Sequence, residues 1–229
     1  MRHNVLAAVG LVMMEFCWLG VTNSQSLVGT YAGTQEFSPR LAQGNEIPKA
    51  TKPCSPQVSE WWQELREAGK AAAQATARKE GAIKKAIVSK WTRYEHVPDD
   101  EREILKADEL NKLNEAISIS KTKYLSLIHL ATEKSYAAPI DDSRVTILHF
   151  NEPRYTDEAR MLKITGTIKT RVLFQGDGTV GRVTIREGLG HGLDERGIQT
   201  IYDLVFFPAV KDGQFVAYLQ AVEVEFKLR

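Results

Sequence analysis

The residues from Ile164 to Phe174 alternate in polarity with a period of two, and this pattern limits the fold more than any other in the chain. The even positions carry mostly apolar or small side chains, and the odd positions are mostly Thr, Lys and Arg. Such alternation is typical of a β-strand with one buried face. The turn residues Gln175 to Thr179 follow, and Val180 to Arg186 then continues as a second strand. The sequence therefore predicts an antiparallel hairpin.

A helix and a third strand are predicted after the hairpin. Within Leu193 to Val205 the apolar residues recur with helical spacing, at Ile198, Ile201, Tyr202 and Val205, and Pro208 prevents the helix from continuing. The residues from Val216 to Leu228 alternate again, with charged side chains on the outward face. The predicted fold class is α+β. It comprises a C-terminal three-stranded antiparallel sheet with two helices on one face, preceded by a mainly helical region.

Several short motifs occur in order along this part of the chain. They are Tyr155, Ala159 and Arg160 around the first predicted helix, Gly166 before the first long strand, Asp177-Gly178 in the turn, and Phe206 to Pro208 after the second helix. In this order and spacing they resemble the C-terminal domain of the TonB family, with Thr156 at the position where Pro is common. The resemblance covers Ile147 to Arg229, little more than a third of the chain.

The resemblance implies a non-enzymatic periplasmic protein that binds outer-membrane TonB-dependent transporters by strand addition. An ExbB–ExbD-like inner-membrane motor is the further partner if energy is transduced for transport. The last strand is the implied partner-binding site, at Ala221, Val222, Glu223, Val224, Glu225 and Phe226. Its outward charges would discourage indiscriminate pairing. The alternative is a structural envelope protein that uses the same edge strand to form a homodimer, without motor coupling.

The N-terminus predicts export. Arg2 and His3 precede an apolar run from Val5 to Val21, which is short for a membrane span of about 20 residues and suits a signal-peptide core. Residues 1–24 are therefore interpreted as a signal peptide, with cleavage after Ser24 or Ser26. The alternative is an inner-membrane anchor formed by residues 5–21. Motor-coupled TonB proteins carry Ser and His within the anchor; the run here contains neither, which favours a binding module over a complete transducer.

The middle of the chain predicts a linker over residues 25–55, a helical region over 56–144 and the C-terminal domain over 145–229. In the helical region, apolar residues keep a spacing of three or four at Leu110, Leu113, Ile117, Tyr124, Leu127 and Ala131. This predicts an amphipathic helix that packs on its neighbour; an interchain coiled coil is the alternative. Pro98 and Gly81 favour a folded-back hairpin over one long rod. The pair Trp61-Trp62 is interpreted as a packing anchor, with a membrane-interface contact as the alternative.

The sequence offers little for catalysis or for cofactors. Cys54 is the only cysteine outside the N-terminal run, so it forms either a free thiol or a disulfide between two chains. The five histidines lack the spacing of a zinc site. Gly188 to Gly192 predicts a connector rather than a phosphate loop, because its strand belongs to an antiparallel hairpin. No catalytic residue, metal or cofactor is predicted. The net charge is +1 and no basic patch occurs in the sequence, which argues against nucleic acid as a partner.

Overall fold

The computed structural model describes residues 46–91, 97–98 and 100–228. The predicted signal or anchor segment and most of the predicted linker lie outside these residues. The last part of the predicted linker packs on the rest of the chain, since Ile47 is buried and the Thr51 N–H donates to the Pro139 carbonyl at 2.7 Å. Within the described ranges, no helix is long and apolar enough to cross a membrane.

Three helices form the first part of the described chain. Helix α1 spans Pro56–Lys90, α2 spans Glu101–Ile104 and α3 spans Ala107–Lys134. The Ser55 hydroxyl accepts a hydrogen bond from the Val58 N–H at 3.3 Å, and Pro56 occupies the first helical turn, where its missing N–H costs nothing. Helix α3 ends at Ser135, whose left-handed backbone (φ 53°) stops the helix.

Helices α1 and α3 form an antiparallel hairpin. Near the start of α1, the Trp61 indole N–H donates to the Leu127 carbonyl near the end of α3 at 2.9 Å. Towards the end of α1, Ile83 lies in one apolar cluster with Leu110, near the start of α3. The predicted folding back of the chain is therefore correct, and α1 measures about 52 Å at 1.5 Å per residue. Gly81 lies inside α1, however, so the reversal occurs after Lys90 and not at the glycine.

The three-stranded antiparallel sheet confirms the predicted fold class. Strand β1 spans Thr146–His149, helix α4 Asp157–Met161, β2 Gly166–Phe174, β3 Val180–Glu187 and helix α5 Leu193–Tyr202. The remaining strands are β4 Val205–Phe207, β5 Ala209–Lys211, β6 Gln214–Val216 and β7 Tyr218–Phe226. In the main sheet the order is β3–β2–β7, with nine register pairs between β2 and β7, from Gly166↔Phe226 to Phe174↔Tyr218.

Two predicted element boundaries are wrong. Val205 was expected to end the second helix, but it belongs to β4 and lies opposite His149 of β1. Val216 was expected to begin the last strand, but it belongs to β6, which pairs with β5.

The buried stripe of α5 also differs from the prediction, because Tyr202 is exposed and donates its hydroxyl to the Gly181 carbonyl at 3.2 Å. The stripe consists instead of Leu193, Gly197, Thr200 and Ile201.

The buried side chains form two main cores on either side of the antiparallel β1–β4 ribbon. The helix core contains Trp61, Trp62, Leu65, Tyr124, Ile128, Leu148 and Phe207. The sheet core contains Ile147, Ile168, Val172, Phe174, Leu193, Ile201, Phe206, Val222, Val224 and Phe226. Successive ribbon residues point to opposite faces, so Ile147 and Phe206 enter the sheet core while Leu148 and Phe207 enter the helix core. The ribbon thereby joins the helical hairpin to the sheet.

Candidate partner-binding edge

Strand β7 lies at one edge of the main sheet and pairs only with β2 among the strands of the described chain. The six residues predicted to bind a partner all lie on it, in two alternating sets. Val222, Val224 and Phe226 are almost completely buried in the sheet core, whereas Ala221 and Glu223 are half-buried and Glu225 is exposed. Only the second set presents side chains outward, so the predicted site divides into a supporting face and an accessible face.

One side-chain hydrogen bond indicates which backbone groups of β7 face the open edge. The buried Thr170 hydroxyl on β2 donates to the Val222 carbonyl at 2.9 Å, so this carbonyl points towards β2. In an antiparallel strand the N–H and C=O of one residue point to the same side, and successive residues alternate. The backbone groups of Ala221, Glu223 and Glu225 therefore point away from β2. These are the groups that an added strand would pair with.

The outer face of β7 changes character along its length. At its start, Leu219 is 47% exposed and lies opposite Leu173 of β2. Further along, Glu223 lies opposite Lys169, and Glu225 pairs with Lys227 at 2.8 Å. Lys169 also binds Glu187 at 2.8 Å; this hydrogen bond, together with the nearby charge of Glu223, raises the pKa of Lys169. The edge thus has an apolar part and an acidic part.

The inner side of the edge strand is firmly supported. The Tyr155 ring, just before α4, meets the Phe226 ring edge-on at a centroid distance of 5.4 Å. Val222 and Val224 pack in the sheet core beneath α5, where Gly197 allows a close approach: a Cβ at this position would lie 3.0 Å from Ile168 and 3.9 Å from Val224. This packing holds β7 in an extended conformation.

Two backbone N–H groups of the glycine-rich connector before α5 already have hydrogen-bond partners within the chain. The Asp194 carboxylate accepts hydrogen bonds from the Leu189 N–H at 2.8 Å and from the Gly190 N–H at 3.3 Å. The Asp194 carboxylate therefore takes the place that an anion would need to reach these two donors. The geometry supports the interpretation of Gly188 to Gly192 as a connector.

A cleft of about 780 Å³ lies between the α1–α3 hairpin and helices α4 and α5. Three of its charged side chains bind one another: Lys84 pairs with Glu80 at 2.9 Å and with Glu152 at 3.2 Å. Burial would raise the pKa of Glu80, but hydrogen bonds from His149, the Glu152 N–H and Lys84 outweigh it and lower this pKa to about 2. The pairs join α1 to the segment after β1, which is a structural role.

The remaining candidate residues lie apart from the edge. Cys54 is exposed just before α1, and Trp61 and Trp62 are buried in the helix core, as a packing anchor requires. Over residues 46–91, 97–98 and 100–228, no group of three His, Cys, Asp or Glu side chains could hold a metal. Sequence reasoning missed Thr170 and Leu219. Thr170 was visible only as a polar residue on an apolar strand face, and Leu219 only as an apolar residue on the outward face.

The C-terminal part of the chain is similar to known proteins. Residues 151–228 match the family model described as Gram-negative bacterial TonB protein C-terminal. The solution NMR structure of Pseudomonas aeruginosa TonB CTD is 24% identical, with a TM-score of 0.33, over 39% of this chain and 92% of that chain. No curated protein matches the chain. In residues 151–228, this chain therefore carries a domain of the TonB C-terminal family.

Proposed function

We propose that this protein is a non-enzymatic, exported binding module that recognises outer-membrane TonB-dependent transporters by strand addition to β7. The observation that carries the proposal is the open backbone edge at Ala221, Glu223 and Glu225. An extended segment of a transporter would pair with these N–H and C=O groups on the periplasmic side of the outer membrane. Main-chain hydrogen bonds of this kind supply affinity, and neighbouring side chains supply specificity.

The rigidity of β7 supports this function. Binding costs less free energy when one partner already holds its bound conformation. Strand β7 is held by β2 along its whole length and by three buried side chains beneath it, Val222, Val224 and Phe226. Only the incoming segment would have to become ordered. This favours binding of a short, flexible peptide over docking of a second folded surface.

A second copy of the chain is the alternative occupant of the same edge. Two β7 strands pairing across a two-fold axis would give a homodimer and a structural envelope protein. In the register that sets Glu223 of one copy opposite Glu225 of the other, like charges on adjacent strands would oppose pairing. A transporter segment with a neutral or basic side chain at this place avoids that repulsion. We assign no motor contact to the described residues; an ExbB–ExbD-like partner would have to engage the segment that includes residues 5–21.

A proline at Glu225 tests strand addition directly. Proline removes the N–H that faces the open edge and leaves the hydrogen bonds to β2 intact. We expect Glu225→Pro to reduce the affinity for synthetic peptides copied from the extended N-terminal segments of transporters by about tenfold or more, measured by fluorescence anisotropy. This corresponds to the loss of about 1.4 kcal/mol. The melting temperature should change much less than in Val224→Pro, which loses an N–H facing β2 and a buried side chain.

The matched control is Glu225→Ala, which keeps the backbone N–H and removes only the carboxylate. It should bind uncharged peptides within about threefold of the wild-type affinity, since main-chain pairing is preserved. If Glu225→Pro stays folded and binds with wild-type affinity, the site lies elsewhere. If the protein instead dimerises with increasing concentration and binds no peptide, the structural alternative is correct.

A further inference from the structure

The residues that present free backbone groups on β7 also present their side chains on the outer face of the sheet. Both properties alternate with a period of two, so Leu219, Ala221, Glu223 and Glu225 share them. A strand added to this edge would set its own outer-face side chains beside these four. Directly opposed side chains on neighbouring strands have Cβ atoms about 4.5–5.5 Å apart, close enough to select one another.

Glu223 and Glu225 differ in how closely a cation of this chain pairs with each carboxylate. Glu225 pairs with Lys227 on its own strand at 2.8 Å. Glu223 lies opposite Lys169, but Lys169 has its 2.8 Å contact with Glu187 on β3. Glu223 therefore shares its cation with another carboxylate. Within the described chain no strand lies beyond β7, so the open side of Glu223 faces solvent.

The electrostatic effect of each charge on an added strand depends on its distance from that strand. Strands lie about 4.8 Å apart, so the backbone of an added strand would stand roughly 10 Å from the backbone of β2, which carries Lys169 and Arg171. At a separation of about one Debye length, salt weakens the interaction between exposed charges. Glu223 would be a direct neighbour at half that distance. The nearest determinant is therefore the carboxylate.

At the start of β7, the exposed side chain is apolar and favours a different type of residue on an added strand. Leu219 is 47% exposed and lies opposite Leu173, so the two side chains form a small apolar pair near the start of β7, away from Glu223 and Glu225. An apolar side chain of an added strand would cover this pair and remove its surface from water. Leu219 and Glu223 are four residues apart on the same face. Their cross-strand neighbours in a regular ladder are also four residues apart.

We propose that the β7 edge selects extended segments in which a Lys or Arg and a large apolar residue lie four positions apart on one face. The basic residue lies opposite Glu223 and the apolar residue lies opposite Leu219. This selection rests on the proposed function, since it requires strand addition to β7. It assigns the transporter segment a chemical pattern: an extended, locally basic peptide with one apolar anchor.

The test uses acetylated and amidated nine-residue peptides of Thr and Val that carry Leu and Lys four positions apart. Both orders are made, because the direction of the added strand decides which residue comes first. Matched peptides carry Glu in place of Lys. In the preferred order, the Lys peptide should bind the full chain about tenfold more tightly than the Glu peptide at low salt, by fluorescence anisotropy. The difference should shrink at about 0.5 M NaCl.

Variants of the chain test whether Glu223 and Leu219 cause the preference for one peptide over another. Glu223→Gln should abolish the discrimination between Lys and Glu peptides without disturbing the fold, and Glu223→Lys should reverse it. The control Glu115→Lys makes the same change in net charge at an exposed position on α3, and it should keep the wild-type preference. Leu219→Ser should bring the affinity for the Leu peptide down to that of a peptide with Ser at the apolar position.

Each outcome bears on one of the two proposals. Equal binding of Lys and Glu peptides, or a change in preference with Glu115→Lys as large as with Glu223→Lys, overturns the pattern and leaves strand addition intact. Binding of no peptide of either charge overturns strand addition and the pattern with it. Tenfold discrimination that is lost in Glu223→Gln and kept in Glu115→Lys supports the assignment.

Discussion

At the scale of single residues, Glu80 contributes most clearly to the stability of the chain. Its carboxylate lies 3.2 Å from His149 Nε2 and 2.9 Å from Lys84 Nζ, and it accepts the Glu152 N–H at 3.0 Å. Three partners from two parts of the chain thus meet at one half-buried acid. Ionised groups held in this way stabilise the folded state by more than exposed pairs do, because water screens them less.

Glu80→Gln removes the charge and keeps the shape. The pKa of Glu80 falls from its usual 4.5 to about 2 on folding, so its ionisation stabilises the chain above about pH 4.5, and this stability is lost as pH falls towards about 2. At neutral pH we expect the variant to lower the free energy of unfolding by on the order of 2 kcal/mol in urea denaturation. The loss should shrink near pH 3. A loss that is independent of pH, or equal to that of exposed Glu115→Gln, contradicts this assignment.

At the scale of elements, the first turns of helix α1 pack on two other parts of the chain. Trp62 is almost completely buried, donates its indole N–H to the Pro48 carbonyl at 3.2 Å, and meets the Phe207 ring of β4 edge-on at 5.7 Å. The same side chain therefore contacts the segment before α1 and the ribbon that borders the sheet. Helix α1 depends on this packing, because an isolated helix gains little stability from propensity alone.

Trp62→Ala should consequently destabilise the chain by about 3–5 kcal/mol, the range for truncating a buried aromatic side chain. The neighbouring exposed position supplies the control: Gln63→Ala should change stability by less than about 0.5 kcal/mol. Chemical denaturation of residues 46–229 measures both. A small cost for Trp62→Ala, together with weaker binding to lipid vesicles, would instead support the membrane-interface alternative for the Trp61-Trp62 pair.

At the scale of the whole molecule, the boundary at residue 145 stays a prediction. The sheet core lies entirely within residues 145–229, which favours independent folding. The helix core crosses the boundary, because it contains Leu148, Val205 and Phe207 from the C-terminal part along with the side chains of α1 and α3. Removing the hairpin would expose one face of the β1–β4 ribbon to water.

We therefore expect a fragment of residues 145–229 to fold cooperatively but less stably than residues 46–229. Its melting temperature should be lower by at least about 10 °C, since a loss of 1 kcal/mol shifts the melting temperature of a small domain by about 4–8 °C. It should also bind a hydrophobic dye at the exposed ribbon face. Thermal unfolding and amide dispersion in NMR spectra check both points. A fragment without dispersed amide signals would contradict the boundary, and equal melting temperatures would contradict the shared core.

The sequence by itself determined the elements whose periodicity extends over several turns or residue pairs. Strands β2 and β3, helices α1 and α3, and most of β7 were predictable because alternation and helical spacing report which side chains are buried. The family resemblance, through motifs such as those around Tyr155 and Phe206, implies a partner-binding site on β7, and this site stays a prediction. These patterns are local, and the secondary structure that they predict is the one found in the folded chain.

Features that depend on residues distant in the sequence were decided only by the tertiary structure. Val205 fits the helical spacing of α5, yet pairing with His149 places it in a strand, because long-range packing outweighs a weak local preference. One hydrogen bond between Thr170 and Val222, residues 52 positions apart, showed which backbone groups of β7 face its open side. Periodicity gives the face of a strand but not its neighbours in the sheet. Which edge of β7 stays free was therefore settled by the order of the strands.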